Sequence, residues 1–187
     1  MGSEERASFL RQIPQLDDEL LESAVRDEIL LALGQPRSPK IAWELRALRQ
    51  ECNSRRRGLY QSIREKVLEG IREQLQRIMA SSHFASRKSQ RTGPARFLDF
   101  VVKRTIEGRA SDLREPTIGS QVFGRREHYH TGEDNIVRVQ AKKVRDSLAR
   151  YYKAQGRRDT IRISLPKGSY VPVLGFRSQR SKRPGNK

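Results

Sequence analysis

The residues best suited to chemistry lie in the segment 135–152, where donor-bearing side chains recur among apolar ones. These side chains belong to Arg138, Gln140, Lys142, Lys143, Arg145 and Arg150. Arg and Lys donors match the edge of guanine, Gln matches adenine, and most such contacts in protein–DNA complexes go to phosphate. An α-helix of about 10–12 Å diameter fills the major groove. The segment therefore predicts a recognition helix for double-stranded DNA, with a solvated basic face that has no ligand as the alternative.

Other chemistries find little support in the sequence. His83, His128, His130 and Cys52 match the spacing of no common closed zinc site. The chain has no Gly-rich phosphate-binding loop with its lysine and no recognisable Ser, His and acid arrangement. We therefore expect no metal, no cofactor and no enzymatic activity. RNA is a weaker alternative than DNA, because single-strand readers stack bases on exposed aromatic side chains, whereas most of the Phe and Tyr residues here fall on core-facing positions.

The charge of the chain is strongly asymmetric. The formal net charge is +17 and the pI is about 10.8, which is typical of a protein with a polyanionic partner. Residues 1–33 carry eight acids and three bases, a net charge of −5, so the remaining residues carry +22. A single cysteine excludes an intramolecular disulfide framework. No apolar run approaches the ~20 residues of a membrane span. We expect a cytoplasmic protein that does not bind membranes.

The N-terminal part of the chain reads as helical. Residues 17–33 predict a helix that begins with two acids and ends at Gly34. An apolar stripe from Ile41 to Ile78 predicts one long helix or two collinear ones. This stripe either packs on the first helix as ordinary core or forms the seam of a homodimer that resembles a coiled coil. Residues 55–57 in its break are either a solvated turn or an additional phosphate contact.

The C-terminal half predicts three helices and a β-hairpin. Pro94 and Pro116 suit first helical turns, and Gly108, Gly124 and Gly156 suit helix ends. The predicted elements are helices over 94–106, 116–123 and 135–155, strands over 159–165 and 170–174, a turn between them, and a disordered basic tail over 177–187. Three helices followed by a hairpin is the order of a winged helix-turn-helix. The fold class is therefore mainly α (α+β), with a helical region over 1–61, a winged helix over 62–176 and the tail.

Several short motifs resemble a known family of DNA-binding domains. They are RFLDFVV at 96–102, EPTIG at 115–119, VFGR at 122–125, NIVRVQA at 135–141 and LPKGSYVPV at 165–173. Together they resemble the OmpR/PhoB class of winged helix-turn-helix domains, in the variant found in many acidobacterial and planctomycete regulators. The resemblance covers about residues 71–173. The usual four-stranded N-terminal sheet has no visible counterpart, and helical residues 62–80 stand in its place; no phospho-acceptor receiver domain is expected before the wing.

The resemblance implies how such a domain would meet its partners. The recognition helix would enter the major groove at the residues from Arg138 to Arg145 named above, and the hairpin tip at Lys167 and Gly168 would reach the adjacent minor groove or backbone. The loop over 124–134 would take the place of the segment that touches RNA polymerase. Tyr170 would pack back on the recognition helix.

Together with the resemblance, these expectations describe a sequence-specific transcriptional regulator of the bacterial nucleoid that binds double-stranded DNA. A homodimer would bind two half-sites about one helical turn apart, or a multiple of it. The alternative is a protein–protein interaction adaptor that uses the winged helix as a docking surface. A third possibility combines DNA binding with protein interaction. In this autoinhibited form, the acidic N-terminal segment folds back on the basic face and competes with DNA.

Overall fold

The computed structural model describes residues 3–34, 38–85, 92–126 and 129–177. These residues form a mainly helical protein with one small antiparallel sheet near its C-terminal end, which confirms the fold class at this coarse level. The helices are α1 (Ser3–Gln12), α2 (Asp18–Gly34), α3 (Pro39–Arg55), α4 (Leu59–Ala80), α5 (Gly93–Ile106), α6 (Glu115–Phe123) and α7 (Ile136–Lys153). The strands are β1 (Ile161–Ser164) and β2 (Val173–Phe176). Among the described residues, no helix is long and apolar enough to cross a membrane.

The N-terminal helices bury the apolar stripe within one chain. α2 starts one residue after the predicted Asp17, because the carboxylate of Asp17 caps the helix and accepts a hydrogen bond from the backbone N–H of Leu20 at 2.8 Å. The stripe divides into α3 and α4 at Gly58, whose φ of 81° suits glycine. Its side chains from Leu48 to Ile78 are largely buried, and α2 packs against both helices. The ordinary-core interpretation therefore accounts for the stripe, and a dimer would need another surface.

Arg55 has a structural role. Its guanidinium donates to Asp18 at 3.0 Å and to Glu51 at 2.9 Å, and it also reaches the backbone carbonyl of Pro14 at 3.3 Å. These bonds fasten the end of α3 to the start of α2. Because its donors are used in this way, Arg55 fits neither the solvated turn nor the phosphate contact that the sequence suggested.

Three helices of the C-terminal half lie close to their predicted bounds. The Thr92 hydroxyl accepts a hydrogen bond from the N–H of Ala95 at 3.4 Å and caps α5. Gly124, with φ at 67°, ends α6. α7 begins after Asn135, but the side chain that accepts a bond there belongs to Asp134, whose Oδ1 lies 3.0 Å from the N–H of Ile136. Periodicity and end signals were sufficient to locate these helices.

The second strand begins later than predicted. β1 pairs antiparallel with β2 in the register Ile161 to Phe176 and Ser164 to Val173. Residues 170–172, assigned to the strand from the sequence, belong to the connection instead. Pro172 has no N–H to donate to the ladder, and the N–H of Val171 is taken by the Ser169 hydroxyl at 3.0 Å. The predicted tail lies outside the described residues apart from Arg177.

A single core joins the two halves of the chain. The buried cluster extends from Ile13 to Leu174, with α2 packed on β2 and α4 packed on β1. A Cβ placed on Gly70 of α4 would lie 2.8 Å from Cδ1 of Ile161 in β1, which measures how closely the two elements approach. The predicted domain boundary at residue 61 lies inside α4, a helix that contributes to this shared core. The N-terminal helices support the hairpin.

Candidate nucleic-acid interface

α7 has one buried face and one basic face. The buried side chains are Val137, Gln140, Ala141, Val144, Ser147, Leu148 and Tyr151. The exposed positions are Arg138, Val139, Lys142, Lys143, Asp146, Ala149, Arg150 and Lys153. The helix contains six basic residues and a single acid, Asp146. The outward face is therefore a concentrated cationic surface on a rigid element.

Lys142 and Lys143 are two cations of this face that have no partner among the described residues. Both are exposed, and neither makes a hydrogen bond or an ion pair within the described part of the chain. A lysine ammonium on a flexible stem is a mobile point charge. Such side chains can follow a phosphate backbone without a fixed geometry.

The two arginines predicted for the same surface are held by the protein. Arg138 donates from Nε to Glu115 Oε1 at 3.1 Å and from Nη2 to the carbonyl of Thr131. Arg145 is half-buried and donates to the carbonyl of Leu165, at the start of the β1–β2 connection, at 3.2 Å. The Arg138 side chain is about half exposed, whereas Arg145 is less exposed and stabilises the hairpin through its bond to Leu165.

The prediction that Gln140 lies on the exposed face of α7 was wrong. It is 9% exposed and packs against the start of α5, where a Cβ placed on Gly93 would lie 2.8 Å from its Oε1. Its position in the series 137, 140, 144, 147, 151 places it on the buried side of the helix. The sequence already contains this spacing, but the prediction gave more weight to the polar amide of Gln140.

The hairpin tip lies between two anchors on the α6–α7 unit. Leu165 is bonded to Arg145 of α7, and the hydroxyl of Tyr170 donates to Glu115 of α6 at 3.0 Å. Between them, Lys167 and Gly168 are exposed, and Gly168 has a φ of 78° that a tight turn requires. A short connection held at both ends keeps Lys167 close to the basic face of α7.

Tyr170 contacts both α5 and α6. Its ring packs edge-on against Phe97 of α5 with centroids 6.1 Å apart, and its hydroxyl bonds to Glu115. Burial, followed by the hydrogen bond to Glu115, raises the pKa of Tyr170 to about 12. Glu115 therefore links Tyr170 to Arg138 of α7, and the expectation that the Tyr170 ring packs on α7 stays a prediction.

The loop between α6 and α7 is closed by side-chain contacts. Arg125 and Asp134 form an ion pair at 2.5 Å across its ends, and the Tyr129 hydroxyl donates to the backbone carbonyl of Glu115 at 3.2 Å. His128 lies outside the described residues. Within the described ranges, no three His, Cys, Asp or Glu side chains are grouped as metal ligands.

Sequence reasoning missed two residues at this surface. Glu115 accepts bonds from three different elements, but its partners are distant in sequence and left no local signal. Val139 is 38% exposed in the middle of the basic face. An apolar side chain there can contact the methyl group of thymine. Its position two residues after buried Val137 places it off the buried stripe, so its exposure was readable from the sequence.

Comparisons with protein-family models, with curated protein sequences and with solved structures found no significant match to this chain.

Proposed function

We propose that this chain is a sequence-specific transcriptional regulator that binds double-stranded DNA through a winged helix built from α5, α6, α7 and the β1–β2 hairpin. One observation carries the proposal: α7 is buried along one side and presents unpaired Lys142 and Lys143 beside Arg138 on the other. An exposed helix face with cationic side chains can contact both the phosphates, which position the protein, and the base edges, which specify the sequence.

In the proposed complex, α7 lies in the major groove. Arg138, near the N-terminal end of the helix, faces the base edges, since recognition helices contact bases with their N-terminal residues. Lys142 and Lys143 neutralise phosphates. The hairpin tip at Lys167 reaches the adjacent minor groove or the backbone.

The remaining partners are part of the same proposal. A homodimer in the cytoplasm would bind paired half-sites and could touch RNA polymerase through the loop over 124–134. Because the stripe of α3 and α4 is buried within one chain, we place no dimer interface there. Light scattering that gives a mass near 21.6 kDa at high concentration would contradict the homodimer.

The DNA-binding proposal is tested by fluorescence anisotropy with a labelled random duplex between ~50 and ~200 mM salt. The logarithm of the affinity should fall linearly with the logarithm of salt, with a slope of about −0.9 for each neutralised phosphate. The double variant Lys142→Ala/Lys143→Ala should weaken binding and make the slope shallower by about 1.8. Arg145 is left unchanged, because its bond to Leu165 would mix charge loss with damage to the hairpin.

A matched control removes two positive charges elsewhere. Arg56 and Arg57 are exposed in the turn between α3 and α4. Arg56→Ala/Arg57→Ala should leave the slope within about 0.3 of the wild-type value if α7 forms the interface. Equal effects of both double variants would contradict the assignment to α7. No wild-type binding below ~100 μM at ~50 mM salt would contradict DNA binding itself.

An adaptor is the second candidate, and one observation favours it. Leu20 and Leu31 of α2 are 56% and 44% exposed, and their separation places them on one side of the helix. With exposed Asp27 between them, these leucines offer a protein partner two separate apolar contacts. This surface differs from the winged helix that the sequence suggested for docking. An adaptor would fail the duplex titration at every salt concentration.

A further inference from the structure

Glu115 joins three elements of the candidate interface through separate atoms. Its Oε1 accepts from Arg138 of α7 at 3.1 Å, and its Oε2 accepts from the Tyr170 hydroxyl of the hairpin connection at 3.0 Å. Its backbone carbonyl accepts from Tyr129 of the α6–α7 loop at 3.2 Å. The Glu115 side chain is only 19% exposed, so these bonds lie partly out of water. Glu115 thereby fixes the recognition helix, the hairpin and the loop relative to one another.

The guanidinium of Arg138 is held on two sides and open on the third. Glu115 takes the Nε donor and the carbonyl of Thr131 takes an Nη2 donor. Three of the five N–H groups of an arginine then remain for another acceptor. The Arg138 side chain is 52% exposed, so those donors have access to solvent.

This arrangement suits base recognition better than phosphate binding. A phosphate contact needs positive charge but little orientation, and Lys142 and Lys143 supply it without fixed partners. A bidentate contact to O6 and N7 of guanine needs a guanidinium in a defined plane. Holding that plane before binding lowers the ordering cost of the contact. A carboxylate beside the groove also repels phosphates, so it opposes general affinity.

We infer that Glu115 is a positioning residue that orients Arg138 to read a guanine, so that Glu115 raises sequence discrimination while it lowers affinity for DNA of arbitrary sequence. The inference rests on the proposed DNA-binding function. Under this inference, Arg138 recognises a base, whereas the two lysines of the basic face bind phosphates.

The test begins with the full-length wild-type chain. A selection from random duplex yields a preferred sequence, and duplexes that each change one base pair of it are titrated at one salt concentration. Glu115→Gln removes the charge and loosens Arg138. It should reduce discrimination about tenfold at one guanine position and strengthen binding of random duplex about two- to fivefold.

Asp146→Asn is the matched control, because it removes one negative charge from the exposed face of α7 without touching Arg138. It should strengthen random binding to a similar extent and leave discrimination intact. Arg138→Lys keeps the charge but cannot make the bidentate contact, so it should lose discrimination at the same guanine. Arg138→Lys carries the test even if Glu115→Gln does not fold.

The outcomes separate the two proposals. If the wild-type chain binds no duplex, the proposed function fails and this inference fails with it. If the wild-type chain binds, and both Glu115→Gln and Arg138→Lys discriminate as well as Asp146→Asn, only the inference is overturned. If Glu115→Gln loses discrimination equally at every base-pair position, the inference is also overturned. Such a loss would mean that Glu115 supports the fold in general.

Discussion

Nε2 of Gln74 in α4 lies 2.6 Å from Oδ2 of Asp159, the residue that leads into the β1 strand. The hydroxyl of Tyr151 at the end of α7 donates to the same carboxylate oxygen, also at 2.6 Å. Gln74 is completely buried, and Arg77 donates to its Oε1 at 2.7 Å. This polar cluster fastens the candidate recognition helix and the hairpin to the N-terminal helices.

Removing the acceptor should destabilise the chain. Asp159→Ala leaves two donors unpaired, those of buried Gln74 and Tyr151. An unsatisfied buried donor costs about 1–3 kcal/mol, so the free energy of unfolding should fall by roughly that amount or more. Urea denaturation monitored by circular dichroism measures the change. Glu73→Ala, on the exposed side of the same helix, should stay within about 0.5 kcal/mol of the wild-type value. Equal stability of the two variants would show that the cluster contributes little.

A methyl group at Gly156 should disturb the same cluster sterically. A Cβ at this position would lie 2.2 Å from Cε1 of Tyr151, whose side chain is buried and whose hydroxyl is bonded to Asp159. Burial and the hydroxyl bond hold the ring in place, so Gly156→Ala should cost about 1–3 kcal/mol as an overpacked site. Gly132→Ala is the control, since nothing lies within 4 Å of its Cβ position. Urea unfolding midpoints are measured for both variants and for wild type. Coincident midpoints for Gly156→Ala and wild type would refute the prediction.

The tyrosines should ionise late in the folded chain. All five have a raised pKa with burial as the leading cause, and those of Tyr151 and Tyr170 rise to about 12. Because the protonated form is favoured by folding, this stabilisation is complete below the ordinary tyrosine pKa of about 10 and is lost as pH rises toward 12. Absorbance of tyrosinate near 295 nm should therefore appear at higher pH in native than in guanidinium-unfolded protein. Superimposed titration curves would contradict this.

Features that depend on interactions between neighbours in sequence were predictable, whereas those that depend on distant residues were not. Helices α2, α5, α6 and α7 were predictable because apolar periodicity and end signals at Asp17, Pro94 and Gly124 are local in the chain. The start of β2 was not, because residues 170–172 are held by bonds to Ser169 and Glu115 rather than by the ladder. Gln140 was misassigned by its polarity, although its spacing placed it among buried neighbours.

The polar clusters were beyond the reach of sequence reasoning for a related reason. Gln74 looks like an ordinary surface residue of a helix until its partner Asp159, eighty-five positions away, is known. Glu115 likewise looks like a favourable acid at a helix start, and only the tertiary structure joins it to Arg138 and Tyr170. The basic charge of the candidate interface was therefore predictable, but the way its arginines are held was not.

Glu28 in α2 should oppose folding at neutral pH. Burial is the main cause that raises its pKa, the nearby carboxylate of Glu44 adds to it, and Lys40 acts in the opposite direction. Its Oε2 is buried without a hydrogen-bond partner among the described residues. Since folding favours the protonated acid, the free energy of unfolding should decrease as pH rises from the ordinary glutamate pKa through the raised one.

Glu28→Gln keeps the size of the side chain and removes the charge. The variant should be more stable than wild type near pH 7, and the difference should disappear at about pH 3.5, where the wild-type carboxylate is protonated in both the folded and the unfolded chain. Urea denaturation at both pH values measures it. Glu65→Gln, an exposed substitution on α4, should change stability by less than about 0.5 kcal/mol at either pH. A Glu28→Gln chain that is less stable than wild type near neutral pH would mean that the ionised carboxylate supports the contact between α2 and α3.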